Sequence, residues 1–429
     1  MMVDAERYAR LEKKAKDIFS RNRIKLRNIE FHQPALGHYE SMFAWDSGWA
    51  AIALSVFDPQ QGIKELESLF SYQMDDGRIP HEIRLHELGG SENLFRRIYI
   101  SLVSSQFDNQ GRSMMIDPPS YLIAAAYLYR GAPDMRIIEL LPAMQKCLDY
   151  LCTDRNILGD GLVANLHPWE SGCDMAPYFD SMVGVRAGTI LWKLRYELNY
   201  KKTLDLLSAQ NWSARKVGES KGFVYEEPGF NGLTAMAAQS LAYLWSIAGD
   251  KARADKCIKD AERIVDAAEK YLWNEERGFF YPRYRPEGES RTSLSIRSCL
   301  NASSLLMTGL VSSDKAERVL DEYLDNEMNF KSPVGISFNS NSEMELKGFK
   351  NSLLWRGPCQ WINMNWMAAG ASAAYGRDDI ARDITEKTAR LIEDEGFREF
   401  YHPETGEGGG AEGFLWPALI LDMIKSYIP

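Results

Sequence analysis

The segment His167 to Asp180 holds a histidine, a tryptophan and three carboxylates, Glu170, Asp174 and Asp180, broken by Pro168, Gly172 and Pro177. Proline and glycine at this density disfavour a continuous helix, so the segment reads as a folded loop. Trp, Glu and Asp gathered in one loop suit a sugar. An indole covers the apolar face of the ring, one carboxylate binds hydroxyls, and another donates a proton. The same residues would also make an acidic loop that caps the next helix. Three further stretches combine aromatics with charged groups: Phe43-Ala44-Trp45-Asp46, Trp355 to Asn363 and Phe397 to Gly410. Together they offer Asp46, Arg356, Asn363 and Glu399, enough to position hydroxyls and supply an acid and a base without a cofactor. Each has a plainer reading. Asp46 suits an N-cap, Arg356 suits a buried partner of a structural carboxylate, and a lone Glu such as Glu399 is by default a surface charge.

These stretches share a position: each lies just before an apolar helix. Asp4 to Arg23 reads as an opening amphipathic helix, and Tyr39 to Phe57 contains the apolar run Ala50-Ala51-Ile52-Ala53-Leu54. A helix follows from Pro59 to Gln73. Pro118-Pro119 opens another through Tyr129, since proline is tolerated in a first turn, and one more spans Ala132 to Cys152. Asp180 to Asn199 is expected to be helical. Leu233, Met236, Ala237, Leu241, Leu244 and Ile247 make a stripe with a period near 3.6, and a second stripe runs from Ala254 to Leu272. Ile362–Ala374 and Arg377–Ile392 repeat the pairing, and Phe414 to Tyr427 closes the chain. Inner members are rich in Ala, Gly and aromatics, and outer members carry charged faces. Irregular segments at 74–117, 158–179, 274–293, 331–355 and 397–413 are too long for tight connections, and loops of that length usually carry function. The pattern predicts an all-α fold, an (α/α)6 toroid with long loops at one mouth, as one domain over 1–429. An α-solenoid is the rival, but no motif repeats at a fixed period.

Composition removes other classes. Hydrophobic residues make up 45% of the chain, enough for a large core, and the formal net charge is −10, without the basic face that nucleic acid requires. The six cysteines are scattered with no CxxC pair, so zinc-knuckle and thioredoxin-type motifs are not indicated. Free thiols, no apolar signal-peptide core and no membrane-length apolar run lead to the expectation of a cytoplasmic protein off the membrane. No HExxH and no GxSxG element occurs. Gly408-Gly409-Gly410 lacks the following Lys-Ser/Thr of a phosphate loop. No metal or cofactor is expected, and homo-oligomerisation is left open.

Trp169-Glu170-Ser171-Gly172-Cys173-Asp174 resembles the W-E-S-G-x-D signature of clan G glycoside hydrolases, the trehalases of family 37 and the enzymes of family 63. Trp45-Asp46, Trp355-Arg356-Gly357-Pro358, Glu399-Phe400-Tyr401-His402-Pro403 and the tail Gly413-Phe414-Leu415-Trp416 follow in that group's order. The chain length is similar to that of the small family 63 hydrolases of mannosylglycerate and glucosylglycerate. The resemblance implies an inverting α-glycosidase acting on a small carbohydrate, with Asp174 as general acid and Glu399 as general base. It implies that Asp46, Glu170 and Arg356 hold the sugar, that Trp45, Trp169 and Trp355 wall the subsite, and that His81 contacts glycerate. Trp416 is carried over as a further sugar contact. Two positions depart: Asp117 stands where family members carry Gln, and Leu354 where an aromatic is expected. Trp169 and Glu170 are expected to raise the pKa of Asp174, through an apolar surface and a like charge. The alternatives are a sugar epimerase or isomerase using His167 or His402, and a non-catalytic carbohydrate-binding protein.

Overall fold

A computed structural model describes residues 4–85, 106–180, 184, 192–220, 224–285, 291–292, 296–343 and 355–428. Among them, helices alternate in burial along the chain. The outer set is α1 (Ala5–Asn22), α3 (Pro59–Phe70), α5 (Met135–Thr153), α9 (Lys251–Tyr271), α11 (Ser313–Val319) and α13 (Asp378–Glu395). The inner set is α2 (Ala44–Phe57), α4 (Ser120–Gly131), α8 (Pro228–Ile247), α10 (Cys299–Leu306), α12 (Ile362–Ala374) and α14 (Ile420–Tyr427). Between α5 and α8 the chain inserts α6 (Trp192–Ala209) and α7 (Ala214–Glu219).

The inner helices pack in sequence order, α2 on α4, α4 on α8, α8 on α10, α10 on α12 and α12 on α14, and α14 returns to α2. The ring therefore closes as an (α/α)6 toroid, as the alternation of helix types predicts. Each outer helix shows one buried stripe, such as Ala254, Cys257, Ala261, Ile264, Val265 and Ala268 of α9, which is the geometry of a helix covered on one side only. Inner helices are buried more completely: α2 hides Trp45, Trp49, Ile52 and Leu54 together with its small residues. Small side chains let these helices approach. A methyl added at Gly48 would run into the Ser120 hydroxyl and the backbone beside it. Asp4, Asp58, Asp134 and Asp250 cap outer helices by accepting backbone N–H groups, each contributing about 1 kcal/mol.

The helix expected over 180–199 is described from Trp192 and runs on to Ala209; the segment before it, and Leu354, lie outside the described residues. The last helix begins later than expected, because Trp416–Leu419 forms a 3₁₀ turn around Pro417 before α14. The helical periodicity does not predict α7, α10, α11 or the strand pairs. α10 is only two turns long and buries its polar residues Asn301, Ser303 and Ser304 along with its apolar ones, so it has no exposed polar face to mark it. Short antiparallel hairpins, Arg23–Leu26 with Ile29–His32 and Arg398–Tyr401 with Gly408–Glu412, interrupt the helical pattern. Among the described residues no helix is long and apolar enough to cross a membrane. All six cysteines are buried and none is in a disulfide.

Candidate active site

The N-terminal ends of inner helices surround a solvent-connected cavity of about 100 Å³. Trp45 and Asp46 stand in the first turn of α2, Asp117 just before α4, Trp361 at the N-cap of α12, and Phe414 and Trp416 ahead of α14. Helix N-termini carry partial positive charge, so the fold turns several such ends toward a cluster of carboxyls.

The α2 side is built by a two-residue pairing, Phe43 opposite Glu82, which brings His81 beside the Phe43 ring. Asp46 does not cap its helix, since it occupies the first turn. The cap comes from outside: the Asp117 carboxyl accepts the Trp45 N–H at 3.1 Å. The loop carrying Asp174 folds as a 3₁₀ turn, Pro168–Ser171, capped by the His167 ring and ended by Gly172 at φ 71°. A Cβ at Gly172 would lie 2.9 Å from the Trp45 indole, so only glycine lets the loop close on that wall. Asp174 then faces the cavity, while Tyr196 donates to its carbonyl at 3.2 Å.

On the opposite side Trp355 adopts φ 67°, a rare conformation for a bulky residue. The Asn339 amide holds it by donating to the carbonyls of Trp355 and Gly357, each at 2.9 Å. Trp355 stacks on Trp361 with ring centres 3.8 Å apart, and Trp416 adjoins both. Glu399 sits where the register of its hairpin shifts between Arg398 and Phe400, a bulge that re-aims one side chain. Its Oε2 accepts the Ala411 N–H at 2.8 Å and its Oε1 accepts the Tyr39 hydroxyl at 2.5 Å. The glycine run has its reason here. Gly410 is at φ 66°, and a Cβ on it would collide with Glu399 Oε2.

Burial dominates the electrostatics. It raises the pKa of Asp174 to about 7, against the pull of its own backbone N–H. It raises Asp46 to about 8, partly offset by the Trp416 indole, with the charges of Glu399, Asp174 and Glu65 adding to the rise. Asp117 is pushed well above the carboxylate range by burial, opposed by the Trp45 N–H and reinforced by Asp174, Asp46 and Glu170. Glu399 is also raised by burial, but the Tyr39 hydroxyl and Ala411 N–H work to keep it ionised. Burial lowers the pKa of His81, against the charges of Glu82 and Glu170.

Eight of the residues singled out from the sequence line this one cavity: Trp45, Asp46, His81, Asp117, Asp174, Trp355, Glu399 and Trp416. Three do not. Glu170 is buried away from it, gripped by both guanidinium nitrogens of Arg155 at 2.6 and 2.7 Å and by the Leu166 and Ile116 N–H groups. Its carboxylate is spent on holding the loop, and its charge is not what raises Asp174. Trp169 packs on His167 and Tyr200 instead of walling the cavity. Arg356 forks onto Asp180 at 2.8 and 2.6 Å and donates to the Met175 carbonyl, tying two loops together. Tyr39, Phe43, Trp361 and Phe414 line the cavity without having been chosen. The last three stand inside the quoted motifs, whereas no neighbouring residue signals Tyr39. His167 caps the loop and His402 caps a hairpin turn, and neither lines the cavity. Among the described residues, no group of three or more His, Cys, Asp or Glu is placed to hold a metal ion.

The family model for the mannosylglycerate hydrolase MGH1-like glycoside hydrolase domain matches residues 39–417. A mannosylglycerate hydrolase of Thermus thermophilus is 28% identical, over 91% of this chain and 95% of its own length. The glucosylglycerate hydrolase of Mycolicibacterium hassiacum is 24% identical over 90% and 92%. Among solved structures, a GH63 mannosylglycerate hydrolase of Thermus thermophilus in complex with glucose superposes with a TM-score of 0.78. It is 27% identical, with 97% of this chain and 100% of that chain covered.

Proposed function

The chain belongs to the mannosylglycerate hydrolase MGH1-like glycoside hydrolase family, and from that premise we propose that it is an inverting α-glycosidase. Its substrate is a small α-mannoside or α-glucoside, with mannosylglycerate and glucosylglycerate the first to test. Asp174 is the general acid and Glu399 the general base. The observation that carries this reading is the contrast between two carboxyls on one aromatic-walled cavity. Burial favours the protonated form of Asp174 near neutrality, whereas Glu399 accepts two short hydrogen bonds that favour its ionised form. Different surroundings that push two carboxyls toward different tasks are how such pairs divide the work.

In the reaction Asp174 gives its proton to the glycosidic oxygen as the bond from that oxygen to the anomeric carbon breaks. A water attacks the same carbon from the opposite face and passes a proton to Glu399. The aglycone leaves as an alcohol and the sugar leaves with inverted configuration. Asp46 binds ring hydroxyls, Trp45, Trp355 and Trp416 cover the apolar face of the sugar, and His81 with Asp117 contacts the leaving group. Glu170, Trp169 and Arg356 support the loops instead.

The test is NMR of the first-formed product across mannosylglycerate, glucosylglycerate, trehalose, kojibiose and nigerose. At least one should be hydrolysed, with the β anomer appearing first. A first-formed α anomer would mean retention, and no hydrolysis across the panel would refute the substrate class.

A further inference from the structure

Glu399 presents its two oxygens to different surroundings. Oε2 is taken by the Ala411 N–H at 2.8 Å and lies against Gly410, where there is no room for a Cβ. Oε1 is bonded at 2.5 Å to the hydroxyl of Tyr39, a residue that itself lines the cavity. The Tyr39 ring is fixed edge-on against Phe43 and Phe414, with centroids 6.1 and 6.0 Å away. From this geometry we infer that Tyr39 is part of the catalytic machinery: its phenol orients Glu399 and, with Oε1, forms the seat of the attacking water. The inference rests on the reading of Glu399 as the base.

A phenol has one proton to donate and two lone pairs to accept with. The proton is committed to Glu399 Oε1, which leaves the phenol oxygen able to accept from a water. Oε1 retains a free lone pair for the proton that the water gives up, whereas Oε2 faces the backbone. The water is thus gripped through both hydrogens, one toward Tyr39 and one toward Oε1, and its own lone pair is left for the anomeric carbon. Burial and the adjoining carboxylates hold the phenol pKa far above its ordinary value, so Tyr39 keeps its proton throughout. It positions and does not itself transfer a proton.

Tyr39→Phe keeps the ring and its packing and removes only the hydroxyl. Four measurements on the intact chain separate the roles. kcat should fall about 10- to 100-fold, the range for loss of a hydrogen bond to a charged group, with KM little changed. The acid limb of the kcat/KM profile should move to higher pH, because the bond that favours ionised Glu399 is gone, and the alkaline limb should stay. The same loss should appear on a glycosyl fluoride, whose leaving group needs little acid help. The circular dichroism spectrum and melting temperature should stay close to those of the wild type. A raised KM with unchanged kcat and an unmoved acid limb would make Tyr39 a sugar contact and overturn the inference. A loss of kcat with both limbs unmoved would overturn it as well. Glu399→Gln, measured in parallel, separates this from failure of the underlying reading. If that variant stays active, Glu399 is not the base, whatever Tyr39 does.

Discussion

Asp174 has only its own backbone N–H to offset burial, and its pKa rises to about 7. As the proposed acid it would work only while protonated, so activity should decline as pH rises through about 7. As the proposed base Glu399 would work only when ionised, and burial raises its pKa from the ordinary glutamate value, so the acid limb should lie above the usual glutamate range. The expected profile is a bell. Asp174→Asn and Glu399→Gln should each cost at least about 10²-fold in kcat on a natural glycoside, the low end for general acid–base catalysis. On a glycosyl fluoride the first should keep much of its rate and the second should not. Equal losses on both substrates would reassign the pair.

The hairpin Arg398–Tyr401 with Gly408–Glu412 holds Glu399, the proposed base, through a bulge and a glycine, which makes a paired test available within one element. Gly410 and Gly413 both stand at φ 66°, so alanine at either costs roughly 1–2 kcal/mol of backbone strain. Only at Gly410 does the added methyl meet the Glu399 carboxylate; nothing lies within 4 Å at Gly413. Gly410→Ala should therefore displace Glu399 and lower kcat by about 10²-fold, the scale of a misplacement near 1 Å. Gly413→Ala should lower the melting temperature comparably with kcat near wild type. Similar kinetics in the two variants would show that the space around Glu399 is not what fixes Gly410.

Across the whole ring, buried carboxyls link stability to pH. Asp422 on α14 accepts the Trp366 indole N–H at 2.7 Å, and burial raises its pKa to about 6, against the pull of that bond and of Lys425. In the unfolded chain the same group ionises near 3.9. The folded state is therefore unpenalised below about pH 4 and loses stability as pH rises through 6, by an amount on the order of 2–3 kcal/mol. Asp422→Asn keeps an acceptor for Trp366 and removes the ionisation. Its melting temperature should gain on the wild type between pH 4 and 7 and hold that difference above. Parallel curves across that range would exclude Asp422 as a source of the pH dependence.

Periodicity in the chain determined the toroid, because an outer helix must show one apolar stripe and an inner helix is buried more completely. Motif order indicated which helix ends meet, since Trp45-Asp46, Trp355 and Glu399 each precede or open an inner helix, whereas the Asp174 loop is followed by the inserted helix α6. α10 carries no readable period because it is two turns long and its polar residues, Asn301, Ser303 and Ser304, are buried beside its apolar ones. What a given carboxylate faces was decided only by packing. Glu170 stands four positions from Asp174 in the same motif, yet Arg155 and two backbone N–H groups turn it away from the cavity. Arg356 is turned onto Asp180 in the same way. Tyr39 reaches Glu399 across most of the chain, and no local pattern encodes such a contact. Residue type and spacing fix which groups arrive at a helix end. The direction of each side chain and its protonation depend on the partners and the solvent exclusion that the closed ring supplies.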